Sequence, residues 1–173
     1  MPTVIIRPDA SGADAGFDQT QAGLLSRIND NDTSTFITQI STSANFNVGM
    51  GNSSAYSGGT INNIVVSVIG QTGGKGSEAS VQVRIIDASE TILQTSSLNF
   101  GSTESTESGA EYSTSLTPSV VDGLTLSVTP DENGIAIKEV FITVDYTAAA
   151  VVAVPYIAMN SGKYKISSGK IKI

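Results

Sequence analysis

The side chains able to do chemistry in this sequence are carboxylates, and they come in small groups. Asp30, Asn31 and Asp32 stand together in "RINDNDTSTF", and Asp9, Asp14 and Asp18 in "RPDASGADAGFD". Oxygen-rich loops of this kind can hold Ca²⁺, a hard cation that takes about six to eight oxygen ligands. Neither stretch has the EF-hand spacing, and Asp and Asn so placed also serve as turn and capping residues. The expectation is therefore that no metal is held. A third group, Glu104, Glu107 and Glu111, lies in "STESTESGAEY". Paired carboxylates run glycoside hydrolysis, but such sites have a cleft and an aromatic platform. This chain has no Trp and only 6% aromatic residues, and Ser and Gly separate its acids. Cysteine and histidine are absent altogether. Disulfides, thiolate and imidazole metal sites, Ser-His-Asp triads and Cys-His dyads are thereby excluded. Gly73, Gly74 and Gly76 in "GQTGGKGSE" do not lead a strand into a helix, so they read as a hairpin end and not as a phosphate loop. The reading is a non-enzyme with no catalytic residues, no cofactor and no metal.

The elements around these residues alternate with a period of two, and no segment sustains a helical period. "VQVRIID" puts Val81, Val83 and Ile85 on one face and Gln82 and Arg84 on the other. "LTLSV" does the same with Leu124, Leu126 and Val128, and "IKEVFITVDY" with Val140, Ile142, Val144 and Tyr146 against Glu139, Thr143 and Asp145. "INNIVVSVIG" is apolar enough for a central strand covered on both sides. Turn-rich connections separate them: "MGNSSAYSGG", "GQTGGKGSE", "IDASE", "GSTESTESGAE" and "PDENG". Short strands at this spacing predict an all-β fold, an antiparallel sandwich or barrel. "TQAGLLSRIND", residues 20–30, offers one short helical turn through Leu24, Leu25 and Ile28.

Beyond Tyr146 the character changes. Residues 148–155 read as a connector ending at Pro155, and 156–173 as a small β-meander. Two-residue turns at Ser161-Gly162 and Ser168-Gly169 pair Met159 with Tyr164, Ile157 with Ile166, Ile166 with Ile171 and Tyr164 with Ile173. Both registers set apolar opposite apolar, as a sheet requires. Six apolar side chains on one face are worth on the order of 10 kcal/mol if covered, and a lone ribbon has no second layer to cover them. The meander must dock, on its own sandwich or on a neighbouring subunit. Its other face carries Lys163, Lys165, Lys170 and Lys172, with Lys165 opposite Lys172. These lysines act as edge protection or as an electrostatic clip on an acidic surface. The ten side chains Ile157, Met159, Tyr164, Ile166, Ile171, Ile173 and the four lysines are the candidate partner-binding residues.

Charge sharpens this division. The 173 residues carry a net −7, but residues 1–162 hold all 16 acids against five bases, a net of −11, while the last eleven residues carry four lysines and no acid. An acidic body argues against nucleic acid, which needs a basic surface. The opening "MPTVIIRPDASG" lacks the pattern of a signal peptide, and the longest apolar run, "AAAVVAV", is far too short to span a bilayer. A chain made in the cytoplasm that reaches other places by assembly or lysis is expected, with no membrane partner.

The order of motifs "VIIRPDASG", "INDNDTSTFI", "INNIVVSVIGQTGGKGSEASVQVRI" and "LTLSVTPDENGIAIKEVFITVDY" resembles the jelly-roll β-sandwich domain of virion proteins of tailed bacteriophages. The resemblance covers residues 3–147 and is carried chiefly by "NDNDTSTFI" and "EVFITVDY". It departs between Leu126 and Ile137, where relatives have a longer, Trp-containing segment. What it implies is a jelly-roll-like sandwich over 1–147 and a non-enzymatic structural part of the virion, made in the host cytoplasm. The first expectation is an auxiliary capsid (decoration or cement) protein that binds the major capsid protein lattice and stabilises the head as a homo-oligomer, for instance a trimer. The alternative is a receptor- or glycan-binding module of a tail fibre or spike, with Tyr56 and Phe46 lining a shallow loop site. The third is a carbohydrate-active enzyme or its accessory domain, which without His, Cys or Trp would rely on carboxylates alone, Asp30 and Asp32 among them.

Overall fold

The alternating segments pair into two antiparallel sheets. The computed structural model describes residues 1–15, 21–29, 31–32, 34–38, 45–73, 78–114, 116–131 and 134–150, and for 10–15, 21–22 and 24–25 the backbone only. In chain order the elements are β1 (Thr3–Ile6), β2 (Pro8–Ala15), α1 (Gln21–Ile28), β3 (Ile37–Thr38), β4 (Asn45–Met50), a 3₁₀ turn (Ser54–Tyr56) and β5 (Thr60–Thr72). There follow β6 (Ala79–Ile86), β7 (Ile92–Phe100), β8 (Ser105–Ser108), α2 (Pro118–Val121), β9 (Thr125–Pro130) and β10 (Ile135–Thr147).

The first sheet has the order β1-β10-β5-β8, with β3 also against β10; the second has the order β2-β4-β9-β6-β7. From β3 to β10 the chain crosses between the sheets so that β10 lies between β3 and β5, and β9 between β4 and β6. That double Greek-key winding is a jelly roll. The expected all-β antiparallel sandwich is the observed fold. Its core forms where the inward rows meet: Val81, Val83 and Ile85 of β6 and Leu126 and Val128 of β9 face Ile64, Val66 and Val68 of β5 and Val140, Ile142 and Val144 of β10, all fully buried. The strands read from "VQVRIID", "LTLSV" and "IKEVFITVDY" thus hold the phase that their alternation predicts.

Local chemistry sets the ends of the elements. Asp87 closes the β6–β7 turn by accepting from the backbone N–H groups of Ser89 and Thr91 at 2.8 and 2.9 Å, the Asx turn that makes Asp a turn residue. Thr117 caps α2, its hydroxyl accepting from Val120 N–H at 3.3 Å, and Pro118 takes the first helical position, where no N–H is needed.

Three expectations are corrected. Residues 20–30 hold more than one turn: α1 runs for eight residues, because Ile28 is wholly buried in the core and anchors the helix. "GSTESTESGAE" is not only a solvated loop but contains β8, whose four residues pair with Ser67, Val68, Ile69 and Gly70 of β5. β5 is central, but its outward Val65 and Ile69 are only half-buried, so one of its faces is incompletely covered. The connector beyond residue 150 and the meander 156–173 lie outside the described residues. Among the described residues no helix is long and apolar enough to cross a membrane.

Candidate functional site

Among the described residues, the carboxylates singled out by type are not brought together. Asp32 accepts from Ser34 N–H at 2.9 Å, and its bonds to Ser34 hold its carboxyl below the usual aspartate value. Its neighbour Asn31, at φ 59°, accepts from the guanidinium of Arg7. Glu104 is in an ion pair with Lys138. Glu111 is exposed and accepts from the Asn63 amide at 3.5 Å. Asp9 is exposed on β2, Gly73 follows β5, and Asp18, Asp30, Gly74 and Gly76 lie outside the described residues. Among the described residues no three acidic side chains converge as a metal group would.

Tyr56 and Phe46 do not line a loop site. They are 1% and 0% exposed, so both belong to the core. The reason is local. The 3₁₀ turn, capped by Ser53, folds the Tyr56 ring inward, edge-on to Tyr146 with centroids 6.3 Å apart. The phenol then donates to a carboxylate oxygen of Asp122 at 2.5 Å. Burial and that carboxylate both raise the phenol's pKa well above its ordinary value. A tyrosine held in this way is a structural post.

What remains is the pair of outward sheet faces, and they differ in chemistry. On the second sheet the registers build rows of short polar side chains. Gln82 stands between Ser97 and Thr129. In the next row Arg84 stands between Thr95 and Ser127, and Ser127 pairs onward with Asn47. Ser80 pairs with Asn99, and its hydroxyl meets that of Ser97 at 2.9 Å. These positions face out because Val81, Val83, Ile85, Leu126 and Val128 between them face the core. With strands about 4.8 Å apart, the row from Thr95 to Asn47 spans roughly 14 Å. On the outward positions of β4, β6, β7 and β9, Arg84 is the single charge, and it is exposed. The usual lysines and glutamates of a solvated sheet face are missing, and amides and hydroxyls stand in their place.

The first sheet's outward face is built differently. Arg7 Nη2 meets Glu139 Oε2 at 3.2 Å, and its guanidinium lies over the Phe141 ring, 5.8 Å from the centroid. Glu139 is only 3% exposed although it points away from the core, because Arg7 covers it. Half-buried Val65 and Ile69 flank Ser67 on the same face, and Ile5 stands 50% exposed across from Thr143.

The sequence placed Gln82 and Arg84 on the outward side of "VQVRIID" but gave no reason to single them out. The signal was the missing charge across four alternating strands, which emerges only when register sets Asn47, Ser127, Arg84 and Thr95 in one row. The candidate docking residues between positions 157 and 173 lie outside the described residues.

No family model matches this chain, and no curated protein matches it. Among solved structures, the chain is similar to the C-terminal CBM6 of LamC, a marine laminarinase from Zobellia galactanivorans, at 12% identity and a TM-score of 0.48, covering 83% of this chain and 98% of that one. It is also similar to a Podospora anserina GH26-CBM35 β-(1,4)-mannanase, at 14% identity and a TM-score of 0.44, covering 86% of this chain and 28% of the mannanase chain.

Proposed function

We propose that this chain is a non-catalytic binding module that takes a glycan along the outward face of its second sheet. The observation that supports the reading is the four-strand surface of amides and hydroxyls with one guanidinium near its centre. Amide and hydroxyl side chains both donate and accept, as sugar hydroxyls do. Arg84 adds five fixed N–H donors in a plane. Charge depletion keeps the desolvation cost of the face low, since ions are the costliest groups to dehydrate. Without an aromatic platform, affinity comes from hydrogen bonds that net about 0.5–1.5 kcal/mol each. Four or five of them give a dissociation constant in the region of 1 mM. Function by avidity, through several copies or several sites on one polymer, follows from that weakness.

The test is a glycan array with the full chain displayed multivalently, followed by titration of the hits. Binding to a restricted set of neutral polysaccharides is expected, and Arg84→Ala should weaken it about tenfold, the loss of one charge-assisted hydrogen bond. Silence across the array, or binding indifferent to Arg84→Ala, removes the reading.

A second reading is the structural virion part implied by the bacteriophage resemblance, and the jelly-roll strand order from β3 to β10 is what favours it. It differs in what it predicts: co-purification with capsids at a fixed high stoichiometry. A copy number of a few per particle, or none, counts against it.

A further inference from the structure

The outward face of the first sheet carries an apolar patch that the described residues cover only in part, Arg7 lying over Phe141 at one end and Ile5 standing open. Ile5 is 50% exposed. The registers join it through Thr143 to Val65, while Phe141 pairs with Ser67, so Ile5, Val65, Ile69 and Phe141 form one surface across β1, β10 and β5. Met1, 88% exposed, reaches the Asn62 amide at the end of the patch where β10 finishes. At that same end stand two carboxylates. Asp145 pairs in register with Thr3 and Asn63, and Glu111 accepts from Asn63. Neither has a cationic partner among the described residues.

We infer that this patch is the seat of the chain's own C-terminal segment, residues 156–173. Three observations converge on that occupant. Residue 150 ends the described chain beside the patch, three residues past β10, and 23 more follow it. The five residues 151–155 reach at most about 17 Å, enough to turn back onto the sheet but not to carry the segment far away. Tethering at that distance gives an effective concentration in the millimolar range, which favours docking in the same molecule over capture by a neighbour.

Size agrees as well. The patch runs from Asp145 to Glu139, about 20 Å along the strands, and the four strands β1 to β8 span about 14 Å across. A three-stranded ribbon of five-residue strands is about 17 Å long and about 10 Å between its outer strands. Its apolar side would meet apolar surface, and its lysine side would face water. Charge favours the same placement. The segment carries four lysines and no acid, while the rest of the chain carries a net −11, with Asp145 and Glu111 at the rim of the patch.

Because the protein has no cysteine, a single one can be introduced and spin-labelled without competition. The experiment uses the full chain with Thr106→Cys, an exposed outward position opposite Ile69, and separately Thr3→Cys at the other rim. Amide signals of residues 157–173 should broaden in the labelled molecule from both positions. They should stay sharp when isotope-labelled, spin-free protein is mixed with spin-labelled, isotope-free protein. In the full chain without a label, their hydrogen exchange should be at least about tenfold slower than in an unstructured peptide, and Ile166→Ser with Ile171→Ser should abolish that protection. Sharp signals from both label positions overturn the inference. So does broadening that occurs in the mixed sample, which assigns the patch to a second copy.

Discussion

Arg7 and Glu139 form a part-buried ion pair that a single substitution would break. Glu139 is 3% exposed and reaches Arg7 at 3.2 Å, with the Phe141 ring beneath the guanidinium. Removing the cation leaves a buried carboxylate without its counter-charge. Arg7→Met should therefore cost about 3 kcal/mol in denaturant unfolding, the low end for a buried pair because the Arg7 side chain is 27% exposed. Adding Glu139→Leu should restore most of that loss, since the desolvated charge then disappears along with its partner. A double variant as unstable as the single one contradicts the assignment. Tyr56 makes a second, pH-dependent statement. Its phenol is pushed up by burial and by Asp122, so the folded state resists its ionisation. The unfolded chain ionises near the ordinary value of 10. The folded-state pKa being the higher, the contribution is complete below pH 10 and is lost as pH rises through and above it. Tyr56→Phe should be less stable by about 1–2 kcal/mol at neutral pH, and the gap should narrow in alkali. A gap that widens with pH sinks the argument.

The elements show which signals a sequence carries and which it hides. β6, β9 and β10 were legible because each alternates for four or more residues with one side fully buried, so Val83, Val128 and Val144 could fall only one way. β8 was hidden: "STES" has no apolar residue to alternate, and it is held as an edge strand by ladder bonds and the Ser67–Ser108 hydroxyl contact at 2.8 Å. α1 was underestimated because its stability comes from Ile28 in the core and not from propensity. Tyr56 and Phe46 looked like ligand platforms only because their burial depends on the fold of a capped turn and on two packed sheets. One close approach tests the element geometry directly. A methyl on Gly59 would lie 2.5 Å from the carbonyl oxygen of Thr147, a backbone atom at the end of β10 that cannot move aside. Gly59→Ala should destabilise by about 1–3 kcal/mol. An unchanged melting temperature would mean that the β4–β5 loop does not pack on β10 as described.

At the scale of the molecule, the jelly roll presents two outward faces with different chemistry, and the placement of both was invisible before register was known. The fold class followed from alternation, but faces are assembled from residues far apart in sequence: Asn47, Arg84, Thr95 and Ser127 come from four strands. The polar face suits a polyol, and the apolar face with its acidic rim suits the basic, apolar end of the same chain. The two faces lie on different sheets, so losing one role leaves the other intact. Glycan binding on the second sheet's outward face is tested most directly by an amide chemical-shift map of the full chain titrated with a soluble oligosaccharide chosen from the array. Saturable shifts confined to the outward rows around Gln82, Arg84, Ser127 and Asn47, weakened in Arg84→Ala, are the predicted result. Saturable shifts that cluster elsewhere, or that leave those rows untouched, contradict it.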